Sequence, residues 1–162
     1  MIVDGKGNIL DSDATMIVIP INTMGVPGRG LALQAADRWP ELLGRKSQYY
    51  WACREKLLSG GSIFFLGTGD ELMEGGQQQL WGACTKQDWR RPSRYEWVEL
   101  CGEALRVQCE REQRIGATSI AIPPLGCGLG KLEWPRVKTL LKASLVYVQG
   151  MEIRLHAPGE FA

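Results

Sequence analysis

Short apolar runs that alternate with amphipathic helical segments constrain the fold more than any other feature of this chain. Runs rich in β-branched residues predict buried strands at 14–21, 62–67, 79–85, 117–122 and 151–156, and 7–10 predicts a short edge strand. Helical patterns cover 31–39, 46–58, 93–114 and 133–148. Strands that are apolar throughout are buried on both faces, so the sequence predicts an α/β sheet covered by helices on each side.

Two further segments have local sequence patterns that predict their structure. The segment 67–78 is rich in glycine and predicts a long hairpin connection between two strands. Ser93 is followed three residues later by Glu96, which predicts a capping box at the start of the helix at 93–114.

Composition excludes several classes of protein. The 162 residues fit one domain, and the formal net charge of +1 does not by itself indicate a nucleic-acid or membrane partner. Five cysteines without a CxxC pair and a single histidine argue against a metal cluster, and they suit reduced thiols in the cytoplasm. No stretch reaches the roughly 20 apolar residues of a membrane span, and the N-terminus does not read as a signal peptide.

A glycine-rich loop follows the strand at 14–21 and leads into a helix. Its sequence, from Asn22 to Leu31, is NTMGVPGRGL. Glycines let backbone N–H groups approach an anion closely, a helix N-terminus adds positive potential, and Asn22 can offer an amide to a ribose hydroxyl. The loop therefore indicates phosphate binding or, in the plainer interpretation, a simple turn; the P-loop pattern GxxxxGK[ST] is absent.

A second glycine-rich loop, PPLGCGLG at 123–130, also leads from a strand into a helix. Its three glycines at alternate positions leave a concave run of amides that suits a diphosphate. Ligands of α/β sheets bind beyond the carboxyl ends of strands, which is where both loops lie. The pair therefore predicts a single elongated, phosphate-containing ligand held between the two loops.

The segment 85–94, TKQDWRRPSR, follows the strand at 79–85 and contains the candidate catalytic and nucleic-acid-binding residues. A partly desolvated lysine has a lowered pKa and can act as a nucleophile, which makes Lys86 a catalytic candidate; a solvated loop lysine is the alternative. Cations beside an aromatic ring suit phosphate contact and base stacking, which indicates nucleic-acid contact through Trp89, Arg90, Arg91 and Arg94. The cysteines and His156 are interpreted as core residues.

Four segments, GNIL, INTMGVPGRGLALQ, TKQDWRRPSRYEW and IPPLGCGLGKLEW, resemble the macrodomains of DarG-type antitoxins in sequence, order and spacing. The resemblance runs through nearly the whole chain. It implies that residues 1–162 form a single macrodomain, a three-layer α/β/α sandwich with a mixed, mostly parallel sheet. It also implies a cleft for ADP-ribose across the strand ends.

The resemblance also implies roles for individual residues. Lys86 falls on the catalytic lysine, and Gly130 stands where related vertebrate hydrolases have an aspartate. Asn8, with Ile9 beside it, replaces an aspartate that contacts adenine in many macrodomains. The distal ribose would be held by Asn22, Thr23, Gly25, Val26, Gly28, Arg29, Gly30 and Leu31. The diphosphate would be cradled by Pro124, Leu125, Gly126, Cys127, Gly128, Leu129 and Gly130.

The activity that the resemblance implies is removal of ADP-ribose from a DNA base modified by a DarT-type toxin. Lys86 would act as a nucleophile or only as an electrostatic or acid–base group. The expected partner is ADP-ribosylated nucleic acid, with ADP-ribose as ligand or product and no metal, cofactor or membrane. The toxin-neutralising domain of DarG is not found in the 162 residues, so toxin binding is not implied. Alternatives are a non-catalytic ADP-ribose reader and a hydrolase of protein-linked or small-molecule ADP-ribose.

Overall fold

A six-stranded sheet forms the centre of the computed structural model, which describes residues 1–73 and 76–159. The strands are β1 (Ile2–Asp4), β2 (Met16–Asn22), β3 (Ile63–Glu71), β4 (Gln77–Lys86), β5 (Ser119–Ile122) and β6 (Glu152–Leu155). They lie in the order β1-β6-β5-β2-β4-β3. All neighbouring pairs are parallel except β3 and β4, which are antiparallel. The prediction of a mixed, mostly parallel sheet is confirmed.

Helices cover both faces of this sheet and complete three layers. They are α1 (Leu31–Arg38), α2 (Pro40–Leu43), α3 (Gln48–Arg54), α4 (Tyr95–Gln113) and α5 (Trp134–Leu145). Strand β2 shows the two faces directly, because Met16 and Val18 pack in the core with α4 and α5, whereas Ile17 and Ile19 pack in the core with α1 to α3. Alternate side chains of a strand point to opposite faces, so a continuously apolar run serves both cores.

The prediction of an edge strand at 7–10 is wrong. Ile9–Asp11 is a 3-10 helix, and Asn8 caps it by accepting a hydrogen bond from the Leu10 backbone N–H at 3.0 Å. The edge strand is β1, at Ile2–Asp4, which pairs with β6. An asparagine that bonds backbone two residues onward favours a turn over a strand, and this local preference decides the conformation at Asn8.

The predicted capping box at Ser93 and Glu96 is also wrong. Arg94 occupies the N-cap of α4 and makes no capping bond with its side chain. The Ser93 backbone N–H instead donates to the Gly130 carbonyl at 3.0 Å, so a contact with the second loop fixes this residue. The predicted helix at 46–58 is shorter, as α3, and β3 and β4 extend into the predicted connection at 67–78, of which residues 74–75 lie outside the described residues.

The sheet order brings the predicted functional segments together. Strands β5, β2 and β4 are adjacent and parallel, so their carboxyl ends meet at the same edge of the sheet. The first loop leaves from β2, the second leaves from β5, and Lys86 is the last residue of β4. In the pairing of β2 with β4, Asn22 lies opposite Lys86. The predicted convergence at strand ends is therefore present.

Candidate active site

A cleft of about 560 Å³ lies at this edge of the sheet, between the two glycine-rich loops. Its walls come from residues 27–32 of the first loop and 126–131 of the second, with Lys86 between them. The loops approach each other at the cleft, since a Cβ added to Gly30 would lie 3.7 Å from Cδ1 of Leu129. Both loops therefore face one ligand-sized space, as their placement at strand ends predicted.

The first loop is held by the side chain of Asn22, which is buried. Its Oδ1 accepts from the Met24 N–H at 2.9 Å, and its Nδ2 donates to the Val26 carbonyl. The hydroxyl of Tyr49 donates to the Asn22 carbonyl at 2.8 Å. The amide of Asn22 is thus engaged within the loop, although Asn22 does line the cleft.

The second loop is held by its own backbone. Cys127 N–H donates to the Pro124 carbonyl at 3.0 Å, Lys131 N–H to the Gly128 carbonyl at 2.9 Å, and Leu132 N–H to the Gly126 carbonyl at 2.9 Å. Gly126 and Gly128 have φ values of 76° and 68°, which L side chains rarely adopt. Leu125 is fully buried beneath the loop.

Lys86 reaches across the cleft from β4. Its Nζ donates to the Trp89 carbonyl at 3.1 Å and to the Leu129 carbonyl at 3.2 Å. Burial lowers the pKa of Lys86, nearby Lys131 lowers it further, and Asp88 acts in the opposite direction. The lowered pKa increases the fraction of Lys86 that is present as the neutral, nucleophilic amine.

The lining of the cleft has one sign of charge. The described residues that line it include four cationic side chains and no carboxylate; the cations are Arg29, Lys86, Arg90 and Lys131. The whole chain has a net charge of only +1. The positive charge is therefore local to the cleft, which favours an anionic ligand.

The segment after Lys86 divides between two spaces. Trp89 and Arg90 line the cleft, whereas Arg91 and Arg94 line a second, smaller hollow of about 380 Å³. Arg90 makes two bonds to Asp88, at 2.9 and 2.7 Å, and they lower the pKa of the Asp88 carboxyl to about 2. The four predicted nucleic-acid contacts are therefore divided between two adjoining spaces.

Several predicted ligand contacts lie away from the cleft wall: Asn8, Ile9, Thr23, Gly25, Val26 and Leu125. Ile9 and Leu125 are core residues, and Gly25 packs against Tyr50. Other lining residues were missed by sequence reasoning: Pro20, Ile21, Ala32, Thr85, Ser93 and Lys131. Lys131 directly follows the second loop, and its charge was a usable signal. Ser93 gave no such signal, because only tertiary packing brings it to the cleft.

The cysteines do not supply a nucleophile. Four of the five are buried, and Cys127, which lines the cleft, has its pKa raised to about 11 by burial. A thiol with a raised pKa carries little thiolate at neutral pH. In residues 1–73 and 76–159, no three His, Cys, Asp or Glu side chains are placed to hold a metal ion. No helix in that part of the chain is long and apolar enough to cross a membrane.

Comparison with known proteins gives a consistent set of relatives, although no protein-family model matches the chain. A Thermus aquaticus protein named DNA ADP-ribosyl glycohydrolase is 35% identical over 155 residues, which are 96% of this chain and 41% of the relative. The chain thus spans about two fifths of the length of the curated relatives it matches.

Solved structures give the same result. The macrodomain of Thermus aquaticus DarG matches with a TM-score of 0.80 and 34% identity, over 98% of this chain and 99% of that one. The macrodomain of Mycobacterium tuberculosis DarG matches with a TM-score of 0.84 and 29% identity, over 98% and 99%. Thermosipho africanus DarTG, solved in complex with ADP-ribose, matches with a TM-score of 0.78 and 27% identity, over 95% and 40%.

The three-layer fold, with its cleft between two loops at the strand ends, is that of a macrodomain. Identity of 34% with the Thermus aquaticus macrodomain extends over almost all of both chains. The chain therefore belongs to the DarG-type macrodomains, and the resemblance seen in its sequence motifs is confirmed.

Proposed function

We propose that residues 1–162 act as one macrodomain that binds ADP-ribose in the cleft and removes it from a modified nucleic-acid base, most specifically a base of DNA. The observation that carries the proposal is the position of Lys86 Nζ, which lies between the two loops with a lowered pKa. The unpaired state of all five cysteines supports a reducing compartment, the cytoplasm, as the place of this activity.

The chemistry of the cleft supports ADP-ribose as the ligand. A diphosphate carries two negative charges, and the cleft wall offers four cationic side chains. Two glycine-rich loops supply backbone that a phosphate can approach closely, because Gly28, Gly30, Gly126 and Gly128 carry no Cβ. One relative was solved in complex with ADP-ribose.

The proposed reaction uses Lys86 at the distal ribose. The neutral amine attacks the anomeric carbon, so that a bond from Nζ to this carbon forms as the bond from the carbon to the base breaks. The base leaves with the bonding electron pair and takes up the proton that the lysine nitrogen loses. Water then displaces the lysine, which gives ADP-ribose and the unmodified base. Because the loops hold the sugar beside the amine, positioning supplies part of the rate.

A nucleic-acid substrate is supported by the residues beside Lys86. Trp89 and Arg90 line the cleft directly after it in sequence, and an aromatic ring with an arginine suits a base and its phosphate. Relatives that are 35% and 31% identical are named DNA ADP-ribosyl glycohydrolase.

The test is release of ADP-ribose from thymidine-linked, guanosine-linked and protein-linked substrates by the unaltered chain and by Lys86→Ala. We expect release from a DNA base and a loss of about a thousandfold in kcat for Lys86→Ala. Affinity for free ADP-ribose, measured by calorimetry, should change by less than about threefold, since the loops remain.

The matched control is Lys142→Ala, which removes an exposed lysine of α5 and should leave both quantities unchanged. Full activity of Lys86→Ala would remove the lysine from the mechanism. Binding of ADP-ribose without release from any substrate would identify a non-catalytic reader instead.

A further inference from the structure

The second hollow adjoins the cleft, and the two share Ser93 in their walls. We propose that this hollow binds a backbone phosphate of the nucleotide next to the modified one. The inference rests on the proposed function, because it assumes that the substrate is a nucleic-acid strand. It adds a binding subsite whose ligand is a phosphodiester outside the ADP-ribose group.

The arginines of the segment are not equally available to such a ligand. The guanidinium of Arg90 is engaged by both oxygens of Asp88. Arg94 bonds to Glu96 at 3.2 Å and stacks at 4.9 Å from the ring centre of Trp97. Within residues 1–73 and 76–159, the guanidinium of Arg91 makes no hydrogen bond or ion pair, and Asp88 attracts it only at longer range.

Arg91 is therefore the cation that is available for a ligand in the hollow. Arginine presents several N–H donors in a flat arrangement that matches phosphate oxygens. Asp88 also lines the hollow, but its charge is compensated by Arg90. Because Arg94 is paired with Glu96, it is Arg91 that leaves the hollow with an excess of positive charge.

Trp97 and Arg94 give the hollow a fixed wall. Trp97 is buried, and a Cβ on Gly60 would collide with its ring, so the indole is held from behind. A guanidinium that stacks on an immobile ring keeps one orientation at little further entropic cost.

The cleft and the hollow are close enough for one continuous nucleic-acid strand to reach both. Arg90 lines the cleft and Arg91 the hollow, and neighbouring Cα atoms lie about 3.8 Å apart. In the proposed arrangement, a strand whose modified base places its ADP-ribose in the cleft continues past this boundary. Its next phosphate then meets Arg91 at the adjoining hollow.

The experiment compares an ADP-ribosylated nucleoside with an ADP-ribosylated trinucleotide that carries a phosphate on each side of the modified base. For Arg91→Gln, we expect kcat/KM on the trinucleotide to fall about fivefold at low salt. The nucleoside should be processed at the unaltered rate, because it has no phosphate for the hollow. The plot of log kcat/KM against log salt concentration should become shallower by about 0.7, the contribution of one phosphate of a single strand.

A neutral methylphosphonate at one flanking position identifies the phosphate that is bound. It should slow the unaltered chain about as much as Arg91→Gln does, and it should slow Arg91→Gln no further. The matched control is Arg111→Gln, which removes a cation about 25 Å away along α4 and should leave every rate unchanged.

An equal loss on the nucleoside and on the trinucleotide would overturn the subsite, as would an equal effect of Arg111→Gln. Absence of release from both the nucleoside and the trinucleotide by the unaltered chain would contradict the proposed activity instead. In that case, binding of the modified trinucleotide to the same variants, measured by fluorescence anisotropy, decides the subsite. Equal affinity of Arg91→Gln and the unaltered chain would then overturn it.

Discussion

The two glycine-rich loops face the same cleft but are held in different ways. The first depends on the buried side chain of Asn22, whose amide bonds to the backbone of Met24 and Val26, and on bonds from Thr23 to the Gln87 carbonyl. The second is closed by backbone bonds within residues 124–132 and is tied to Ser93 by a further backbone bond. Deleting one amide group should therefore loosen the first loop, whereas the second is closed by several backbone bonds.

This difference indicates that the two loops bind different parts of the ligand. A loop that is closed by its own backbone is a preformed cradle, which suits a diphosphate whose geometry is the same in every substrate. A loop that is held largely by side-chain hydrogen bonds can adjust to the sugar and to the group attached to it. Lys86 is hydrogen-bonded to both loops. Its Nζ donates to the Leu129 carbonyl of the second loop, and its carbonyl accepts from the Thr23 N–H of the first loop at 3.2 Å.

The largest effect on stability is expected for Gly126→Ala, a substitution in the second loop. Gly126 has a φ of 76°, and an added Cβ would lie 2.5 Å from Cδ1 of Leu132 and 3.1 Å from Cβ of Ser93. Left-handed strain and crowding together should lower the free energy of unfolding by about 3 kcal/mol. Denaturant-induced unfolding measures this change.

The matched control is Gly128→Ala in the same loop. Gly128 has a φ of 68°, but an added Cβ would meet nothing within 4 Å. Only the strain remains, so the loss should be about 1 kcal/mol. Equal losses for the two variants would show that packing beneath the second loop is not what holds it.

Asn22→Ala should have a smaller effect that is confined to the first loop. Deleting the buried amide leaves the Met24 N–H and the Val26 carbonyl without their partner, at a cost of about 2 kcal/mol. Hydrogen exchange should become faster at Met24 and stay unchanged at residues 126–132. Thr23→Val removes a neighbouring, exposed bond and should cost at most about 0.5 kcal/mol. Faster exchange in both loops would contradict the separation.

The smallest effect is a change in pH dependence for Lys131→Asn. Lys131 has a φ of 65°, which asparagine tolerates, so the substitution removes a charge with little backbone strain. Lys131 lowers the pKa of Lys86, so its removal raises that pKa, although burial remains the larger cause. If the neutral amine reacts, activity rises with pH, and this rise should move to higher pH.

Rates of ADP-ribose release measured across pH test this prediction, with Lys142→Asn as the control that should not move the profile. A shift to lower pH would contradict the proposed influence of Lys131. Activity that falls as pH rises would identify the charged ammonium as the active form and favour the electrostatic role of Lys86.

Sequence patterns predicted the sheet and the meeting of the two loops because both depend on local signals. Continuous apolar runs mark buried strands, and glycines after them mark loops at the carboxyl ends. Asn8 shows the limit of this reasoning, because its capping bond turns residues 9–11 into a 3-10 helix. A run of three apolar residues, Met1 to Val3, was too short to indicate the true edge strand.

The parts of the site that could not be predicted depend on contacts between distant residues. Ser93 fits the pattern of a helix cap, yet its backbone is bonded to Gly130, 37 positions further along the chain. Its hydroxyl lies under the second loop without a hydrogen-bond partner among the described residues. The different surroundings of Arg90 and Arg91 arise in the same way, because neighbours in sequence line two separate spaces.

The most direct test of the central claim is a crystal structure of this chain with ADP-ribose. We expect the diphosphate to lie between residues 28–30 and 126–130, with the anomeric carbon of the distal ribose within about 3.5 Å of Lys86 Nζ. A diphosphate bound outside the two loops would contradict the account, as would a distal ribose directed away from Lys86.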